Sequence, residues 1–207
     1  MGDRNTKSSS CPIQRWLWIV AVALAVASCV PCLAQVSDVY LLTYYNQNYS
    51  NLGVFSQFSS DQTVRIVNPG VQREICADLF VFDNQQEMLE CCACRISANG
   101  LLTLSLQYNL LQAPLVPGSG FFLGLLNSGV IKIVSDHPQN CDPTSPVPVR
   151  NLRAWMSHVQ GTTISDQAFD SSVLMQGELL YLGQTCGFIE NIGVPVGVGV
   201  CTCPTGA

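Results

Sequence analysis

The sequence predicts a mainly β fold: an antiparallel, β-sandwich-like domain with one C-terminal amphipathic helix, stapled by disulfides. Three observations carry this. Short β-branched or alternating runs recur between turn formers, the apolar period switches to that of a helix only near the end, and cysteine is abundant while charge is scarce. Of 207 residues, 11 are cysteine and only 11% are charged. An ordinary soluble domain carries roughly 25% charged residues, so this balance points to an exported, covalently held module rather than a cytosolic enzyme.

The first 34 residues read as a leader and residues 35–207 as a single cysteine-rich, β-rich domain. Arg4, Lys7 and Arg15 precede an apolar run from Trp16 to Val30, which breaks at Pro31 and ends in Cys32-Leu33-Ala34. That is the layout of a signal peptide, with cleavage expected after Ala34. The run is shorter than the ~20 residues of a spanning helix. Two other readings stay open: a lipobox at Val26-Ala27-Ser28-Cys29, which would put a lipid on Cys29, and an uncleaved anchor from Trp16 to Ala34. Membrane association is expected only through these. From a chain carrying −5, loss of Arg4, Lys7, Arg15 and Asp3 leaves −7. Such a surface repels nucleic acid and anionic headgroups, so no nucleic-acid partner is expected.

Along the domain, Val36 to Asn51 reads as a strand fading into a polar loop, with tyrosines at 40, 44, 45 and 49 as a candidate contact surface. The simpler reading of them is a half-buried edge strand. Asn48-Tyr49-Ser50 matches the N-glycosylation pattern, a weak signal. Thr63 to Val67 is a short strand closed by Asn68-Pro69-Gly70. Ile75 to Tyr108 reads as a three-strand meander with turns at Asp83-Asn84 and Asn99-Gly100, because Asn-Gly supplies the positive φ a tight hairpin needs. In its last strand Leu102, Leu104, Leu106 and Tyr108 share one face. Ala113 to Gly120 is a loop and Val130 to Ser135 a strand around Lys132. His137 to Pro148 carries four prolines and reads as a surface loop pinned by Cys141. Leu152 to Val159 is a further strand. Met175, Leu179, Leu182, Cys186 and Ile189 then line one helix face, with Asp170 or Ser171 as cap. Gly177 and Gly183 each cost that helix about 1 kcal/mol. Val194 to Cys203 reads as a last strand.

Eight cysteines follow the leader: Cys76, Cys91, Cys92, Cys94, Cys141, Cys186, Cys201 and Cys203. An even number in an exported chain implies a disulfide framework. On a strand, Cys92 and Cys94 face one way and Cys91 the other, and Cys201 and Cys203 share a face. Cys92 and Cys94 are therefore expected to bond Cys201 and Cys203. A two-residue turn at Asp83-Asn84 would set Cys76 opposite Cys91, which leaves Cys141 to pair with Cys186. The rival reading is a thiolate metal or redox site, with Cys92, Cys94, Cys201 and Cys203 holding zinc or an iron–sulfur cluster, although one spacer residue is fewer than structural zinc pairs use. A vicinal Cys91-Cys92 bridge is a further variant.

No catalytic constellation and no cofactor motif stands out. His137 and His158 have no metal-binding spacing, and Gly118-Ser119-Gly120 lacks the spacing of a nucleophile elbow. Asp78, Asp83, Glu87 and Glu90 are candidate carboxylates for glycan hydrolysis, against the simpler reading of solvated turn residues. The stretches Ile75-Cys-Ala-Asp-Leu-Phe-Val-Phe-Asp, Glu90-Cys-Cys-Ala-Cys, Asn99-Gly-Leu-Leu-Thr-Leu-Ser, Leu152-Arg-Ala-Trp and Cys201-Thr-Cys resemble a group of uncharacterised exported bacterial proteins. The resemblance spans most of residues 75–203 and implies export and an envelope or extracellular setting, with no activity attached. The functional expectation is thus a structural or binding module, ahead of a thiolate protein or a secreted hydrolase.

Overall fold

The computed structural model describes residues 39–46, 61–70, 73–115, 128–160, 163–193 and 198–204, all within the unit Val36–Ala207. The expected leader with Cys29, Tyr49, the glycosylation pattern and Gly118-Ser119-Gly120 lie outside the described residues.

Among the described residues nine strands form two antiparallel sheets: β1 Tyr40–Asn46, β2 Thr63–Val67, β3 Ile75–Asp83, β4 Met88–Ile96, β5 Leu101–Ser105, β6 Ser128–Asp136, β7 Arg153–Gln160, β8 Thr163–Ala168 and β9 Asp170–Ser171. One sheet runs β4-β3-β6-β1-β9 and the other β5-β2-β7-β8. A long helix, α1 at Gln176–Gly193, follows.

Alternation places the core. In the larger sheet Ile75, Ala77, Leu79 and Val81 of β3 point inward with Cys92, Cys94 and Ile96 of β4, and pack with Val64 and Ile66 of β2, Leu102 and Leu104 of β5 and Ala154 and Met156 of β7. The opposite face of that sheet presents Phe80, Phe82, Cys91 and Val134 to Leu182, Cys186 and Ile189 of α1. The molecule is therefore three layers deep over β3, all nine of whose residues are buried. A strand covered on both faces reads as a near-continuous apolar run, as Ile75 to Phe82 does apart from Asp78. Burying each large aliphatic or aromatic side chain stabilises the fold by about 1.5–3 kcal/mol.

Several expectations are corrected. The Asn99-Gly100 turn, with Asn99 at φ 54°, does not close a meander. It is a corner where the chain leaves β4 and enters the other sheet, so β5 pairs with β2 and not with β4. The Leu102/Leu104 alternation is real, but it belongs to the facing sheet, and it stops at Ser105. There Leu106–Leu110 makes one π-helical turn, whose start is closed by the Ser105 side chain accepting from Tyr108 N. Asp170 and Ser171 are not a helix cap: they form β9 against Leu41 and Leu42 after a second corner at Phe169. Met175 precedes the helix and is exposed, leaving Leu182, Cys186 and Ile189 as the buried face. The tail does not form a strand in the described residues and makes one parallel bridge, Cys91 to Val200. Gly183 is needed where it stands, because a Cβ there would lie 2.6 Å from the Thr144 carbonyl oxygen of the 137–148 loop.

Candidate functional site

The cysteines take their partners from strand register. Asp83 ends β3 by accepting from Gln85 N and Glu87 N, and Gln86 sits at φ 69°. The connection is thus longer than two residues, and with a register shift at Val81/Phe82 it sets Cys76 opposite Arg95 and Cys91 opposite Phe80. The expected Cys76–Cys91 pair is therefore wrong, and Cys141–Cys186 falls with it. Cys91 faces α1 and bonds Cys186, at 5.9 Å between Cα atoms, while Cys76 bonds Cys141 in the proline-rich loop, at 5.4 Å. On the inward face of β4 Cys92 bonds Cys201 and Cys94 bonds Cys203, at 5.3 and 5.5 Å. The sulfurs of Cys92, Cys94 and Cys203 lie within 4.8 Å of one another, but each is half of a disulfide, whereas zinc and iron–sulfur clusters are held by thiolates.

The carboxylates singled out for hydrolysis do not gather. Asp78 lies on the α1 side of β3, Glu90 on the inward side of β4, and Asp83 and Glu87 at the turn. Asp78 is fully buried beside Asp136, whose Oδ1 already accepts from His137 N and Val147 N, both at 2.6 Å. Burial, then the charges of Asp136 and Asp142 and a hydrogen bond to Asp136, push the Asp78 carboxyl up to about 8. Burial likewise lifts Glu90 to about 8, although it accepts from Ala113 N at 2.8 Å. Below about pH 8 burial therefore favours the neutral form of both acids. His137 Nδ1 accepts from Gln139 N in its own loop. His158 stacks on Tyr44 with ring centroids 4.8 Å apart, and burial lowers its pKa. The tyrosine row makes no common surface: Tyr40 and Tyr45 are buried, the latter donating to Phe82 O, and of the described tyrosines in the row only Tyr44 is half-exposed.

A cleft that the sequence does not foreshadow opens between the start of α1 and the end of β3. It has a volume of about 380 Å³ and is bordered by Phe82, Asp83, Gln86, Lys132, Glu178 and Tyr181. Strand β6 projects Lys132 on the α1 face, where its ammonium lies 4.6 Å from the Phe82 ring centre and 2.6 Å from Glu178 Oε1. Tyr40 also donates to Glu178 Oε1, at 2.9 Å. Burial opposes ionisation of Glu178, but the bonds from Lys132 and Tyr40 outweigh it and hold the carboxyl below its usual range. Burial and that same bond push the Tyr40 phenol well up. The rings of Phe82 and Tyr181 stack at 6.3 Å and 22°. One signal was in the sequence: Lys132 is the sole lysine after residue 34, set in an apolar strand. Its partners Glu178 and Tyr181 lie over forty residues away in sequence, on a helix whose apolar stripe they flank rather than belong to.

Among the described residues no helix is long and apolar enough to cross a membrane. No protein-family profile and no curated protein matches the chain. Among solved structures, the Anabaena sensory rhodopsin transducer is similar over 61% of this chain and 94% of its own, at 14% identity and a TM-score of 0.34. At that score the likeness carries no argument about fold or function.

Proposed function

We propose that the chain is an exported, disulfide-stapled module with a binding role at a bacterial cell envelope or outside the cell. The observation that carries this is the complete pairing of the eight cysteines after residue 34, which supports an oxidising compartment. The leader-like first 34 residues and the resemblance to exported bacterial proteins support the same destination. Binding, ahead of a purely structural role, is supported by the cleft at α1, which joins stacked aromatic rings, an ion pair and a turn carboxylate.

The test is to express the full chain in a bacterium, fractionate the cells, and map the purified protein without reductant. The expected result is an extracytoplasmic protein beginning at Gln35 and without free thiols. A cytosolic protein retaining residues 1–34, with titratable thiols, overturns the reading. Loss of fold with a chelator and not with a reductant would favour the thiolate metal site instead.

A further inference from the structure

Beyond the binding reading and independently of it, we infer that a second copy of this chain docks on the outward face of α1, about a two-fold axis at Gln184. The helix is apolar on both sides. Leu182, Cys186 and Ile189 cover the sheet, while on the opposite side Leu180, Phe188 and Ile192 stand 52%, 62% and 45% exposed, with Tyr181 at the rim 44% exposed. At 3.6 residues per turn, Leu180, Gln184, Phe188 and Ile192 form one ridge of i, i+4 neighbours that faces away from the core. A helix that is apolar all round belongs inside a protein, so such a face in the open marks a contact surface.

Charge selects the occupant. The helix carries two charged side chains and neither lies on this ridge: Glu178 is bonded to Lys132, and Glu190 is half-buried. Helices that lie on membranes present Lys or Arg beside the apolar stripe, and α1 has neither, which disfavours lipid. On an acidic domain most surfaces repel one another, so the partner must bring an uncharged apolar face of its own. A second copy does so through the same patch, as a two-fold interface requires. Laid antiparallel about Gln184, the two helices set Leu180 on the partner's Phe188 and Gln184 on the partner's Gln184, each amide offering the donor and acceptor the other needs. Ile192 then reaches the far helix start, where Met175 is 70% exposed and Val173 is 48% exposed. Half-open side chains of about 200 Å² each, with Gln184 between them, bury on the order of 1,000–1,200 Å² over two copies, the low end for a specific interface.

The test is sedimentation equilibrium of the intact oxidised protein. A monomer–dimer equilibrium is expected, with a Kd on the order of 10 µM. Phe188→Ser removes the largest ring of the ridge, and Gln184→Glu sets two carboxylates face to face at the axis; each is expected to weaken association about tenfold or more. An equimolar mixture of Gln184→Glu and Gln184→Lys is expected to regain the dimer. Ile164→Ser, on the exposed strand β8, should leave association unchanged. Both α1 positions are exposed, so the variants keep the fold, which near-ultraviolet circular dichroism checks. A parent protein that stays monomeric up to roughly 1 mM overturns the inference. So does a dimer that survives both Phe188→Ser and Gln184→Glu, or a charge-swapped mixture that remains monomeric. A monomer that instead co-sediments with phosphatidylcholine vesicles assigns the face to lipid and overturns it as well.

Discussion

Strands β3 and β8 belong to one domain, yet every residue of Ile75–Asp83 is buried and every residue of Thr163–Ala168 is exposed. β3 lies inside the larger sheet, with the facing sheet on one side and α1 on the other. β8 is an edge strand, tied by its ladder to β7 and by Asp166, which takes bonds from Ser157 at 2.6 Å and Arg65 at 3.3 Å. The four disulfides sharpen the contrast, since each has one end on β3 or β4 and none touches the β5-β2-β7-β8 sheet. Covalent reinforcement is thus concentrated on the region that three layers already cover, and the far edge relies on backbone hydrogen bonds and the Asp166 contacts.

Reduction is expected to have the largest effect. Each bridge closes a separation of 65 to 109 residues and contributes about 2–5 kcal/mol. Losing all four, about 8–20 kcal/mol in total, is comparable to the whole ~5–15 kcal/mol of a typical domain, so the near-ultraviolet circular dichroism should collapse in reductant and persist in chelator. A reduced protein that keeps its signal breaks the comparison.

Next in size is the dependence on pH. Asp78 and Glu90 ionise near pH 4 when unfolded and near pH 8 when folded. The folded state therefore holds protons that the unfolded state has released. Stability from these acids is full below about pH 4 and is lost up to about pH 8, with a slope near 1.4 kcal/mol per pH unit for each acid. Asp78→Asn, whose amide can donate to Asp136 as the neutral acid does, is expected to halve the fall of the urea midpoint between pH 5 and 8, leaving the part due to Glu90. A midpoint that rises with pH in the parent protein would sink this.

Gly183→Ala comes third. Its Cβ would meet the Thr144 carbonyl oxygen at 2.6 Å, so α1 must shift from the loop or the loop must give, at about 1–3 kcal/mol. Urea denaturation of the variant checks this, and an unchanged midpoint would mean that the loop yields freely. The smallest effect belongs to the edge: Ile164→Ser, at a side chain 69% exposed, should change stability by less than about 0.5 kcal/mol. A larger loss by thermal denaturation would mean that β8 is covered in solution.

What the sequence disclosed follows the same divide. Period-two alternation found β6 and β7, β-branched composition ahead of a turn former found β2, and the parity of Cys92 and Cys94 against Cys91 found the sheet-to-tail bridges, because all three depend on local features alone. The pairing of Cys76 depended on the length of the Asp83 connection, where an Asp-capped turn and a bulge replace the two-residue hairpin that Asp83-Asn84 suggests. β8 and β9 were illegible because Thr163 to Ser171 carries no apolar alternation; they are strands because β7 and β1 have backbone groups to satisfy. The cleft was invisible for a related reason, as its members come from β3, β6 and α1 and meet only after packing.

Adjacent Cys91 and Cys92 send their bonds to opposite layers, one to the helix at residue 186 and the other to residue 201. Both partners are synthesised about a hundred residues later. On the proposed export route, a chain entering an oxidising compartment from its amino end would display two neighbouring thiols, with Cys94 close by, well before any correct mate arrives. Wrong early bonds among those three must be undone by thiol exchange, so the yield of correctly folded material should rise with a disulfide isomerase far more than with faster oxidation.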